Sequence, residues 1–121
     1  MAKEENNQKR FTIIRDTREQ DGCGWNFRAS TNCEGMEKVK LDVGDYSLKG
    51  YEDKIFLERK TIGDLWGTLG ANYERFLREL ERAKSHKVKY LVIEGTLAEV
   101  SAGYAYSKLP PENIHAKLIS L

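Results

Sequence analysis

Long apolar runs are missing from this chain. No stretch approaches the roughly 20 consecutive apolar residues a membrane helix requires, which excludes a helical membrane span. The first ten residues, MAKEENNQKR, lack the apolar centre of a secretory leader and read as a disordered polar tail over 1–10. Cysteine is scarce. Cys23 and Cys33 are the only two, too few for a disulfide scaffold and without the histidine cluster a zinc site needs. Two thiols and no leader point to a reducing compartment, the cytoplasm. His86 and His115, the two histidines, fall on expected helical surfaces and read as solvated or helix-end residues, which argues against a Cys–His nucleophile. An excess of either charge is also absent: 20 Lys and Arg against 19 Asp and Glu leave a net charge of +1. Any nucleic-acid surface must therefore come from segregation of charge rather than from bulk basicity. Repeats and low-complexity segments are lacking as well.

What is present fits one globular domain. The chain has 121 residues, 40% hydrophobic and 32% charged, enough to bury a core of a few strands and helices. Phe11 to Arg15 is β-branched and predicts a first strand, with Asp16-Thr17-Arg18-Glu19 at its C-terminal end. Residues 20–37 carry turn glycines at 22, 24 and 35 and two aromatic anchors, Trp25 and Phe27, and read as a hairpin or a long loop. Alternation from Lys38 to Val43 predicts a half-buried strand. Gly44 permits a bend, Asp45 to Leu48 begins the next strand, and Lys54 to Lys60 returns. These three strands predict an antiparallel meander with the first strand joining its edge. Thr61 is a helix N-cap with Asp64 three residues on, close to a capping box. A short helix breaks near Gly70 to Asn72, and a second runs from Tyr73 to Ser85. Val88 to Ile93 is apolar enough for a central strand. Residues 97–108 read as a loop, and Pro110-Pro111 opens a final helix to Leu121.

The chemistry concentrates between Val43 and Leu65. Side chains alternate along a strand, so Glu58 and Lys60 share a face and Arg59 takes the other. A hairpin places Asp45 beside Glu58. Two carboxylates suit a hard cation such as Mg²⁺ or Mn²⁺, and a neighbouring ammonium can orient water or offset charge on a phosphate. Taken alone, Glu-Arg-Lys at a strand end is better explained by a surface ion-pair cluster. Glu94 reads as an exposed strand end.

The ordered set Asp16-Thr17-Arg18-Glu19, Gly44-Asp45-Tyr46, Glu58-Arg59-Lys60 and Asp64 resembles the XPF-type structure-specific DNA nucleases, with matches from about Ile13 to Gly95. These belong to the restriction-endonuclease-like fold, whose general pattern is PD-(D/E)-x-K. The resemblance implies an α/β fold with a central mixed sheet of about five strands flanked by helices. The nuclease domain then spans 11–121 and is a C-terminally minimal or truncated form, since a further strand and helix are usual in such folds. It implies a metal-dependent DNA endonuclease that hydrolyses phosphodiester bonds at branched or flap DNA, with a place in DNA repair.

Carried onto this chain, the resemblance implies site residues Asp16, Glu19, Asp45, Glu58, Arg59, Lys60 and Asp64. Asp45, Glu58 and Asp16 are the expected ligands of Mg²⁺ or Mn²⁺. Arg18, Lys60, Arg75 and Arg78 are expected to meet DNA, duplex or branched, although a solvated charged face is the favoured reading for each arginine of the second helix. No small-molecule cofactor and no membrane contact are expected. The tandem helix-hairpin-helix module with which many of these enzymes dimerise and recognise junctions is not in this sequence, which puts structure specificity in question; a homodimer or a DNA-binding partner protein is a further expectation. A non-catalytic DNA-binding or partner-binding module on the same fold is the competing expectation, and an inactive fragment is a third. Degenerate relatives usually lose the acid or lysine of Glu-Arg-Lys, and this chain keeps both.

Overall fold

In a computed structural model, the structure describes residues 10–104, 107 and 109–121. The polar tail read from the sequence lies, apart from Arg10, outside the described residues. Arg10 is anchored: its guanidinium donates to the carbonyls of Ser30 and Cys33 at 2.9 and 3.1 Å.

The strands are β1 (Phe11–Arg15), β2 (Cys33–Lys38), β3 (Tyr46–Leu48), β4 (Ile55–Thr61) and β5 (Val88–Glu94). The helices are α1 (Ile62–Leu69), α2 (Tyr73–Arg82), α3 (Leu97–Ser101) and α4 (Pro111–Ile119). The sheet order is β2-β1-β3-β4-β5. β1 runs parallel to β2 and antiparallel to β3, and β3 is antiparallel to β4, so the sheet is mixed.

Several expectations change. The second strand is Cys33–Lys38 rather than Lys38 to Val43. Leu41 and Val43 are buried as their alternation suggested, but the Leu41 N–H donates to the Asp16 carboxylate. β1 lies inside the sheet, between β2 and β3, rather than at the edge of a meander. β5 is last in the order, and its residues are exposed or half-buried, which explains why its apolar run does not make it central. Residues expected to be loop include the short helix α3, nucleated by a reciprocal capping box between Thr96 and Glu99.

The chain divides into two compact units, Met1–Glu58 with Ser85–Tyr90 and Arg59–Lys84 with Leu91–Leu121. In the first, Ile14, Leu41, Val43, Tyr46 and Phe56 are buried. His86 is buried here rather than sitting on a helix surface, because α2 ends at Arg82. Its Nε2 lies 2.9 Å from the Glu52 carbonyl oxygen, and its ring meets Phe56 edge-on. Gly44 has φ +80°, and a Cβ there would lie 3.0 Å from the Phe56 ring and 3.1 Å from the Leu57 carbonyl oxygen. Only glycine combines that backbone with that approach.

In the second unit, α1 buries Leu65, Trp66 and Leu69 against Val100 and Ile114. Burying large apolar side chains of this kind contributes roughly 1.5–3 kcal/mol each. Thr61 caps α1 by accepting the Asp64 N–H at 3.1 Å. At the other end, the Lys117 ammonium donates to the Leu69 carbonyl at 3.0 Å and lies 4.1 Å from the centroid of the Tyr73 ring. One cation thus satisfies a carbonyl that the helix leaves without an internal partner.

Candidate active site

Three acidic residues of the first unit come to neighbouring strand positions. Register partners run Arg15 to Tyr46 to Leu57 across β1, β3 and β4. Asp16 follows Arg15, Asp45 precedes Tyr46, and Glu58 follows Leu57. The backbone of Asp45 ties the row together: its carbonyl accepts the Asp16 N–H and its N–H donates to the Leu57 carbonyl, both at 2.8 Å. Register partners share a face and successive residues alternate. Asp16 and Glu58 therefore share the face opposite Arg15 and Leu57. Glu58 is 6% exposed and Asp45 is half-buried.

Asp16 already has protein partners. Its carboxylate accepts from Arg18 Nε at 2.7 Å, Arg18 Nη2 at 3.3 Å, the Arg18 N–H at 3.2 Å and the Leu41 N–H at 2.8 Å. Arg18 also donates to the Leu41 carbonyl at 2.7 Å. Burial alone would raise the Asp16 pKa. The hydrogen bonds from Arg18 and Leu41, with the guanidinium charge, outweigh it and hold the carboxyl below the ordinary 3.8. Glu19 is engaged differently: its Oε2 accepts the Tyr46 hydroxyl at 2.8 Å. That hydroxyl in turn accepts the Trp25 N–H at 2.6 Å. Burial first, then the bond to Glu19, pushes the Tyr46 phenol up to about 12.

Sequence reasoning overlooked the residues that hold this corner. Arg15 is fully buried and anchors the following loop, donating to Asn26 Oδ1 at 2.9 Å and to the Glu19 carbonyl at 3.2 Å. Tyr46 stacks on Trp25 with centroids 5.0 Å apart. Nothing local announced Leu41 as a donor to Asp16.

In the second unit, Arg59 is 8% exposed and pairs with Glu94, so the strand-end acid has a structural partner. Lys60 is half-buried, with Nζ 5.4 Å from the centroid of the Phe76 ring on α2. Asp64 is exposed in the first turn of α1, where a carboxylate is favoured by the helix dipole. Arg75 and Arg78 are exposed on α2.

Among the described residues, no group of three or more His, Cys, Asp or Glu side chains is arranged to hold a metal ion. Mg²⁺ keeps several waters and takes one or two protein carboxylates together with substrate phosphate, so two acids at neighbouring strand positions, such as Asp45 and Glu58, are a donor set it could accept.

The family model of the ERCC4 domain matches residues 15–121, the whole of this corner and both units beyond it. The chain belongs to the ERCC4 domain family. The ERCC4 domain is the XPF-type nuclease domain of the restriction-endonuclease-like superfamily, and the mixed five-stranded sheet is that fold. It is a nuclease-type domain and a domain associated with DNA. No curated protein matches the chain. No helix among the described residues of this ERCC4 domain is long and apolar enough to cross a membrane.

Proposed function

We propose that this ERCC4 domain is a Mg²⁺- or Mn²⁺-dependent DNA endonuclease that hydrolyses phosphodiester bonds, with branched or flap DNA as its substrate class. The observation that carries the reading is the backbone of Asp45, bonded on one side to Asp16 and on the other to Leu57, the neighbour of Glu58. It brings Asp16, at the end of β1, Asp45, just before β3, and Glu58, in β4, to neighbouring positions, which supports the reading.

Asp45 and Glu58 would hold the cation, with the Arg59 carbonyl as a further oxygen donor and Asp16 reaching it through water. When bound, the ion would polarise the phosphate and lower the pKa of attacking water. The residues of the chain do the rest. Lys60 orients that water or offsets the negative charge that builds on the phosphate. Arg18 and the Leu41 N–H fix Asp16, and through its backbone bond they fix the strand position of Asp45. Tyr46 holds Glu19 at the rim. Arg59, engaged with Glu94, braces the strand that delivers its two neighbours. Asp64 combines a capping position with a place in the site motif, and Arg75 and Arg78 meet flanking DNA phosphates. The unpaired thiols Cys23 and Cys33 support a cytoplasmic setting. A homodimer or a DNA-binding partner protein would supply junction recognition.

The saturated carboxylate of Asp16 favours a second reading, a DNA-binding or partner-binding module without catalysis. One comparison separates the two. Labelled flap and plain duplex DNA are incubated with Mg²⁺ and the wild type, Glu58→Ala or Lys60→Ala. Metal-dependent flap cleavage that Glu58→Ala abolishes and Lys60→Ala slows sharply, with folding retained, supports the enzyme. Retained DNA binding without cleavage by the wild type supports the module.

A further inference from the structure

Lys60 carries an ammonium on a flexible four-carbon stem, and an untethered lysine loses considerable rotamer freedom when it must act at one point. The second unit contains a device that limits this loss. Phe76 is 5% exposed on α2, and Lys60 Nζ lies 5.4 Å from its ring centroid. A cation within about 6 Å of an aromatic centroid is attracted by the negative ring face. The ring is itself fixed by burial, on the helix face that also buries Ala83 and half-buries Tyr73 and Leu80. The meeting of Lys60 and Phe76 has a use if the amine must be in place before the phosphate arrives, because such preorganisation acts on the chemical step and not on binding.

We propose that Phe76 is a positioning residue that holds the Lys60 ammonium for its work on the scissile phosphate. The proposal rests on the reading of Lys60 as a catalytic residue. Phe76 touches no reacting atom. It acts through the quadrupole of its ring, so an aromatic replacement preserves the effect and an aliphatic one of similar size does not.

The test combines single-turnover cleavage of flap DNA in Mg²⁺ with proton NMR of the folded protein. Phe76→Leu is expected to lower the cleavage rate constant about tenfold, the scale of a partly desolvated cation–π contact, with substrate affinity unchanged. Phe76→Tyr is expected to stay within about twofold of the wild type. In a double-mutant cycle, Phe76→Leu is expected to cost nothing further once Lys60→Ala is present. Independently of every variant, the Lys60 ε-methylene protons should resonate upfield of those of solvent-exposed lysines, shifted by the ring current. Equal losses from Phe76→Leu with and without Lys60 would mark a packing role and overturn the proposal. So would an unshifted methylene signal, which decides the matter even if Phe76→Leu does not fold. A Lys60→Ala enzyme as fast as the wild type would overturn the catalytic reading of Lys60 and this inference with it. A defective Lys60→Ala beside an unaffected Phe76→Leu would overturn the inference alone.

Discussion

Substituting Asp16 separates its hydrogen-bonding work from any direct part in metal binding. The residue is 2% exposed, and its carboxylate serves the Leu41 N–H at 2.8 Å and three donors of Arg18. Asp16→Ala leaves the Leu41 N–H, itself in a buried setting, without its acceptor, at a cost of about 1–3 kcal/mol. The Arg18 side chain is 62% exposed and turns to water, so its pairing adds only about 0–1 kcal/mol after solvent screening. The total for Asp16→Ala is about 1–4 kcal/mol, or roughly 4–16 °C in melting temperature for a chain of this size. Asp16→Asn keeps one oxygen for Leu41 and loses only the charge assistance, about 1 kcal/mol. The sign of the pH dependence follows from the depressed folded pKa. The stabilisation is present above the unfolded value of 3.8 and is lost as pH falls through the folded value. Urea melts of wild type and Asp16→Asn from pH 7 down into the acid range should therefore show a stability gap near neutrality that closes below pH 3.8. A gap independent of pH, or no gap at pH 7, would refute the assignment of the Asp16 carboxylate to Arg18 and Leu41.

Other substitutions probe the rest of the corner. Tyr46→Phe strands the Trp25 N–H and should destabilise by about 1–2 kcal/mol. Because the phenol is raised to about 12, the wild type should lose stability as pH climbs from 10 towards 12, and Tyr46→Phe should not, as alkaline melts would register. Gly44→Ala forces a side chain onto φ +80° and against Phe56, so about 2 kcal/mol or more of stability and the flap cleavage should fall together in melting and cleavage assays. Asp64→Asn keeps the backbone cap to Thr61 and should cost only about 0.3–1 kcal/mol through the helix dipole. A drop of more than about tenfold in flap cleavage at that small stability cost places Asp64 in the site, whereas unchanged cleavage confines it to capping.

Local chemistry was the legible part of this chain. Thr61 with Asp64, the break at Gly70, and the apolar spacing from Tyr73 each specify structure within a few residues, and α1 and α2 form where those signals stand. The β3–β4 pairing follows from two strands and a short turn. Long-range pairing was not legible. The segment Lys38 to Val43 alternates like a strand and buries Leu41 and Val43 accordingly. Its Leu41 N–H nevertheless goes to a carboxylate 25 residues away, a choice no local pattern encodes. The strand that pairs with β1 is instead CEGMEK, whose Gly35 at φ +110° and three charged residues argue against a strand in isolation. Of the candidate site, the placement of Asp45 just before β3 and of Glu58 and Lys60 in β4 was readable from the strand pattern. Arg18 lies only two residues from Asp16, within reach of a local ion pair, but the bonds from Leu41 to Asp16 and from Tyr46 to Glu19 were not readable, because each joins elements that meet only in the folded sheet.

The most direct measurement is a crystal soaked in Mn²⁺ and examined by anomalous scattering. A peak bridging the carboxylates of Asp45 and Glu58, and lost in Glu58→Ala, is the predicted result. A manganese peak elsewhere, or those two carboxylates directed to different faces of the sheet with no ion between them, would contradict the account.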